Sequence, residues 1–310
     1  INNGVDIISD TNDIWSIKEA YLRGLLTDNA INRAAERTLK EMFELGLFEN
    51  PYRDPDNANK IVSNKINWDE AYNAHQKSVV LLKNHDNVLP LTAEKLKGKK
   101  VYVEVFEKEQ KDADTHTKAL RENIKKITEF DLTENYEEAD YAVLFVRPTS
   151  GSYFDATKGY LELDITENKP EKALDGSDYT ETTLAGAKKI KTISEAVHTR
   201  GGKVITNVNF VLAWLLNNVE PHSDAVLAGF DTLQQATIDV ITGKYNPTGV
   251  LPLTLPKSPE VIAVDANGKC VSPNDVPGYD KDKYMPKGMS YAYVDSDGNT
   301  YRLDFGLTYK

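Results

Sequence analysis

Apolar and polar positions along this chain repeat with two distinct periods. Ile14, Ile17, Tyr21 and Leu25 recur at helical spacing. A second stripe, Ile31, Ala34, Ala35, Thr38, Leu39, Met42 and Phe43, follows Thr27, a residue able to cap a helix. Gly46 suits the left-handed position after that helix. The apolar run at 4–8 predicts a short strand ahead of both helices. Pro51 and the polar stretch 53–57 break the pattern, so 51–66 is expected to be a linker. A third amphipathic helix is predicted from Trp68 through Tyr72, His75 and Val79. His75 lies on its apolar stripe and reads as a packed residue rather than a ligand.

Beyond Val80-Leu81-Leu82, strands and helices alternate. The apolar, β-branched run 101–106 predicts a strand, followed by a helix near 116–129. Tyr141-Ala142-Val143-Leu144-Phe145-Val146 is continuously apolar, as a strand covered on both faces should be. A long helix is predicted over 180–199 with Leu184, Ala187, Ile190, Ile193 and Val197 inside, ended by Gly201-Gly202. Strands at 203–210 and 224–228 and a helix at 233–241 follow. This order predicts an α/β fold, a mainly parallel sheet flanked by helices on both faces. Ligands of such sheets meet the loops beyond the carboxyl ends of the strands, here those after Val146, Phe210 and Ala228. The segment after Pro256, rich in Gly, Pro, Asp and Tyr, predicts extended loops and hairpins. Asp295-Ser296-Asp297-Gly298-Asn299 has a superficial calcium-loop look but lacks the later Glu, and Asp-Gly between Tyr-rich strands predicts a hairpin turn.

Composition narrows the chemistry. The net charge of −11 repels phosphate backbones, which argues against nucleic acid as a partner. No apolar run approaches the roughly 18 residues of a membrane span. Cys270 is the single cysteine, so no disulfide within the chain or cysteine metal cage is expected, and the five histidines show no ligand spacing. No cofactor or metal is expected. No GxGxxG or P-loop occurs, and Gly201-Gly202 precedes its strand, which argues against a flavodoxin-like nucleotide or flavin domain. The compartment stays open.

Five segments, in order, resemble the two-domain β-glucosidases of glycoside hydrolase family 3. Gly4-Val5-Asp6-Ile7-Ile8 is similar to the last strand of that family's (β/α)8 barrel. Leu45-Gly46-Leu47-Phe48-Glu49-Asn50-Pro51-Tyr52 resembles the exit from its final helix. Ser78-Val79-Val80-Leu81-Leu82-Lys83-Asn84, with Leu89-Pro90-Leu91, resembles the entry to the second domain. The run from Gly243 through Asn246-Pro247-Thr248-Gly249-Val250-Leu251-Pro252 to Pro256, and the close Phe305-Gly306-Leu307-Thr308-Tyr309, resemble its late signatures. The resemblance implies the end of a barrel at 1–50, a linker at 51–66 and the family's C-terminal α/β sandwich at 67–310. It also implies an oligosaccharide or glycoside substrate.

Retaining glycosidases place two carboxyl groups about 5–5.5 Å apart, one attacking the anomeric carbon and one protonating the leaving oxygen. In the resembled family the nucleophile is an Asp in a Ser-Asp-Trp-like motif on a late barrel strand. No such motif occurs here, since Ser9-Asp10 is followed by Thr11, so the resemblance implies a barrel segment outside these residues, in cis or as a second chain. The family's acid/base is often a Glu on a loop after a strand like 141–146. That loop here runs from Arg147 to Glu162, with Ser152 where the Glu is expected. Asp155 and Glu162 are the alternative proton donors, although Leu161-Glu162-Leu163-Asp164-Ile165 alternates like a strand with Glu162 on a polar face. Arg147, Tyr153 and Tyr160 are candidates for sugar contacts, the tyrosines equally for packing under the loop. The turn Gly229-Phe230-Asp231-Thr232-Leu233 also departs from the family's Gly-rich, Glu-containing turn. A non-catalytic carbohydrate-binding or scaffold module of the same fold is the alternative to an enzyme.

Overall fold

Parallel strands need crossover connections long enough to hold a helix, and this chain supplies them from β2 (Lys100–Glu107) onward. A computed structural model describes residues 1–9, 13–150, 162–172, 176–261 and 290–309. Two units are distinguished, Ile1–Trp68 and Asp69–Lys310.

In the first unit, α1 (Ile14–Leu22) starts where the Asp13 carboxylate accepts from the amides of Trp15 and Ser16. Thr27 caps α2 (Asp28–Glu44) by accepting from the Ala30 amide, and Gly46 follows with φ +65°. The expected linker instead contains α3 (Pro55–Val62). Its Asp54-Pro55 start, read in the sequence as a breaker, is a helix beginning, because Asp54 caps the Asp56 amide and Pro is tolerated in the first turn. Residues 4–8 form no strand among the described residues. A strand exists only through its hydrogen-bonded neighbours, and this run has none. Among the described residues of this unit only Ala30 and Ala34 are buried, whereas Trp15 is 74% and Ile7 66% exposed. α4 (Lys65–Ser78) precedes the sheet.

The sheet consists of β1 (Val80–Asn84), β2 (Lys100–Glu107), β3 (Asp131–Thr133), β4 (Tyr141–Arg147), β7 (Lys203–Asn209) and β8 (Ala225–Gly229), in the order β1-β8-β7-β4-β2-β3. All neighbours pair in parallel except β1, which runs antiparallel to β8. Between β4 and β7, β5 (Lys169–Lys172) and β6 (Asp178–Glu181) form a separate antiparallel pair. The helices α5 (Ala93–Leu96), α6 (Gln110–Ile127), α7 (Ala187–Thr199) and α8 (Gln234–Ile241) complete the unit.

Alternate residues of the central strands feed two cores. Val204 and Val208 of β7 pack with Ile190, Ile193 and Val197 of α7. Ile205 between them faces the other way, with Leu120 and Ile124 of α6 and Ile238 and Ile241 of α8. Helices therefore cover both faces, as the continuous apolar strands require. α6 begins six residues before its expected start, because its first turn is polar and carries no apolar signal. α7 is shorter than expected: residues 178–181 pair as β6, and Leu184 is buried without being helical.

Residues 290–309 lie against the sheet as extended segments and a hairpin. Leu307 bridges Leu81 of β1, and Val294 bridges Thr300 around the turn at 295–299. In that turn the Asp295 carboxylate accepts from the amides of Asp297 and Asn299, so the hairpin reading holds. Gly249 and Gly306, from the two late signature segments, mark a close backbone crossing. A Cβ on Gly306 would collide with the Gly249 carbonyl, and one on Gly249 with the carbonyl of Val79. These motif residues serve packing rather than chemistry.

Candidate functional site

The parallel strands β2, β4, β7 and β8 end at Glu107, Arg147, Asn209 and Gly229, so their polar terminal residues gather at one edge of the sheet. A cleft of about 350 Å³ opens there, lined by Glu107, Lys108, Arg147, Thr149, Asn209 and Asp231 among others. This is the position at which open α/β sheets bind ligands.

Two bonded pairs set the geometry of the cleft. Arg147 donates from Nη1 to Glu107 Oε1 at 2.8 Å, while the other Glu107 oxygen lies 2.7 Å from His116 Nδ1. Glu107 is thus held from both sides and in turn orients the Arg147 guanidinium. Across the cleft, the Asn209 side-chain amide donates to Asp231 Oδ1 at 2.9 Å, and the Asp231 backbone amide returns a bond to Asn209 Oδ1 at 2.8 Å. Asp231 adopts φ +50°, a left-handed conformation that Asn and Asp enter more readily than other side chains with a Cβ. A carboxylate, a guanidinium and an amide fixed on neighbouring strand ends can accept from and donate to a polyhydroxylated ligand together.

Of the residues singled out in the sequence, Arg147 lines this cleft. Glu162 does not stand on a polar strand face. It is buried, 6% exposed, and accepts from Ser150 Oγ at 3.0 Å. The alternation misled because the neighbouring positions are covered as well: Leu163 accepts from the Leu215 amide, and Asp164 bridges Leu215. Asp155, Tyr153 and Tyr160 lie outside the described residues. Glu107 and Asn209 were missed, although the strand-end rule that directed attention to Arg147 applies equally to them, and Asp231, in the turn after β8, was named in the sequence without a role. His75 is half-buried and accepts from the Leu233 amide through Nδ1, consistent with a packed role.

A second polar cluster lies beside the first residues after 161. Oxygens of Asp164, Glu171 and Glu181 come within 4.8 Å of one another. The Lys169 ammonium pairs with both Asp164 and Glu171. Burial opposes the Lys169 charge, but these two partners hold its pKa above the ordinary lysine value. Glu181 is 1% exposed, and burial, reinforced by the Asp164 charge, pushes its pKa up to about 8. Its carboxyl group accepts from the Asp164 amide at 2.9 Å.

The fold is that of an α/β domain with a mainly parallel sheet and a polar cleft at its strand ends. A sequence profile of the glycosyl hydrolase family 3 C-terminal domain matches residues 79–309, and the chain belongs to that family. Beta-glucosidase C of Emericella nidulans is 28% identical over 254 residues, which covers 81% of this chain and 35% of the relative. A periplasmic beta-glucosidase/beta-xylosidase of Dickeya chrysanthemi is 25% identical over 268 residues, covering 84% of this chain and 35% of the relative. This chain thus spans about a third of the length of these relatives. The crystal structure of beta-glucosidase from Listeria innocua superposes with a TM-score of 0.53 at 20% identity, covering 99% of this chain and 42% of that one. That of the β-glucosidase EmGH1 from Erythrobacter marinus gives 0.54 at 18%, covering 94% and 42%. These two likenesses bear on the fold. No helix among the described residues is long and apolar enough to cross a membrane.

Proposed function

We propose that this chain is the C-terminal part of a retaining β-glycosidase that hydrolyses terminal β-glycosidic bonds of oligosaccharides or glycosides. The observation that carries this reading is the cleft at the carboxyl end of β4, at the foot of the loop in which the family's proton donor is sought. In this reading residues 1–50 are the end of a (β/α)8 barrel whose remaining strands, with the nucleophile Asp, lie outside these 310 residues. The exposed apolar side chains of the first unit, Ile7, Ile14, Trp15 and Leu22, support it, since a barrel end without its neighbouring strands has that character.

The chemistry needs two carboxyl groups. The barrel carboxylate attacks the anomeric carbon as the glycosidic bond breaks, and the second group gives its proton to the departing oxygen. That group, now ionised, takes a proton from the water that releases the sugar from the enzyme. The burial of Glu162 and its bond from Ser150 favour Asp155 as the donor. Asp155→Asn in the complete enzyme should lower turnover sharply on substrates with poor leaving groups and spare activated aryl glycosides, with azide restoring the loss. Unchanged turnover on both substrate types would move the role away from Asp155.

Ser152 at the position of the family's usual Glu favours a second reading, a carbohydrate-binding module of the same fold. It predicts sugar binding without hydrolysis even when the barrel is supplied.

A further inference from the structure

We infer that His198 is a proton-operated clasp between α7 and the turn Glu220–His222, working through the single hydroxyl hydrogen of Ser194. Ser194 and His198 stand one helical turn apart on α7. Ser194 Oγ donates to the His222 carbonyl at 2.7 Å and lies 3.2 Å from His198 Nδ1. On the other side of the ring, His198 Nε2 lies 2.7 Å from Asp224 Oδ2. These residue types match a hydrolytic triad, but the arrangement is not one. Ser194 is 2% exposed, and its hydrogen is engaged by a carbonyl, so it is no nucleophile.

Counting hydrogens fixes what the imidazole carries. A serine hydroxyl has one hydrogen, and carbonyls and ionised carboxylates only accept. Burial alone would raise the Asp224 pKa, but His198, the Val204 amide and Lys203 hold it below the usual aspartate value, so Asp224 is ionised. Nε2 therefore bears a hydrogen for Asp224, and Nδ1 bears a second for Ser194 Oγ. The ring is an imidazolium bonded at both ends. A neutral ring keeps the Asp224 bond, but its bare Nδ1 then claims the Ser194 hydrogen, and the His222 carbonyl loses that donor. One proton on a side chain that is 41% exposed thus changes what holds the turn, which begins with the buried Glu220. The charged and titratable groups around the clasp are Asp224 and Lys203 at the strand starts, Lys191 and Glu195 on α7, and Glu220 and His222 on the turn. It sits where β7 and β8 begin, at the edge of the sheet opposite the cleft.

The sign of the pH response follows. The folded state holds two ring hydrogens where an unfolded histidine, above about pH 6.5, holds one. The added stability is fully present below that pH and is lost as the folded ring gives up its second proton. Urea unfolding of the wild type and His198→Gln, at about pH 6 and about pH 9, measures it. Gln offers Asp224 a neutral donor and does not titrate, and the remaining ionisable groups are common to both proteins. The wild type's advantage in the folding equilibrium constant should shrink about tenfold from the lower pH to the higher, the margin between a charged and a neutral hydrogen bond. An advantage that does not change with pH would overturn the proposal. NMR of the histidine rings at about pH 7 adds a readout that packing alone would not move. The His198 ring, assigned by its absence from His198→Gln, should carry hydrogens on both nitrogens in the wild type and on Nε2 alone in Ser194→Ala. A bare Nδ1 in the wild type, or the same ring form in both proteins, would end it.

Discussion

The Lys83 ammonium on β1 lies 2.7 Å from the carboxylate of Glu220, and both side chains are buried. Ser296 and Tyr293 complete the cluster, Ser296 Oγ bonding both ions and the Tyr293 hydroxyl donating to Glu220 Oε2 at 2.9 Å. Burial alone would raise the Glu220 pKa, but Lys83 and the surrounding donors hold it below the usual glutamate value. The pair fastens the segment 293–296 to the edge of the sheet. Lys83→Met strands a buried carboxylate and should cost about 3–5 kcal/mol in urea unfolding. The double change Lys83→Met with Glu220→Leu should cost less than the sum of the single losses, since it leaves no unpaired charge.

A different pH response is expected from Glu181. Its folded pKa of about 8 lies above the unfolded value of 4.5, so the folded state holds the proton more tightly. The associated stability is fully present below 4.5 and is lost as pH rises to about 8. Melting temperatures measured across that window should therefore fall for the wild type more steeply than for Glu181→Gln. Parallel curves would show that Glu181 stays ionised in the folded protein.

The backbone crossing of the two signature segments yields a third expectation. Gly249→Ala and Gly306→Ala each drive a methyl group into a carbonyl that cannot swing aside. Each should lower stability by about 1–3 kcal/mol or more, as overpacking does, and shift thermal unfolding accordingly. Wild-type melting in either variant would mean that the crossing is looser than the structure has it.

Much of the sheet was legible because its strands are covered on both faces. The uninterrupted apolar run of β4 leaves no other economical placement, and the stripe of α7 from Ala187 to Val197 identifies the helix beside it. What failed lacked that signal. Lys169-Pro170-Glu171-Lys172 has nothing apolar to announce β5, whose pairing with β6 rests on backbone bonds and on Lys172 with Asp178. The Asp54-Pro55 pair is ambiguous locally, since one chemistry serves a turn or a helix start. In the cleft, Arg147 could be read from the end of its own strand. The Asn209–Asp231 pair could not, because it depends on β7 and β8 being neighbours with their ends level, a fact of register rather than of spacing.

The bridge between Leu81 and Leu307 bears on how the domain comes into being. β1 pairs with β8, made some 140 residues later, and is bridged on its outer side by a segment later still. During synthesis the strand that opens the domain must leave the ribosome unmatched and wait. Its apolar residues, Val80, Leu81 and Leu82, are then exposed to other nascent chains, which makes this stretch the natural place for a chaperone to hold.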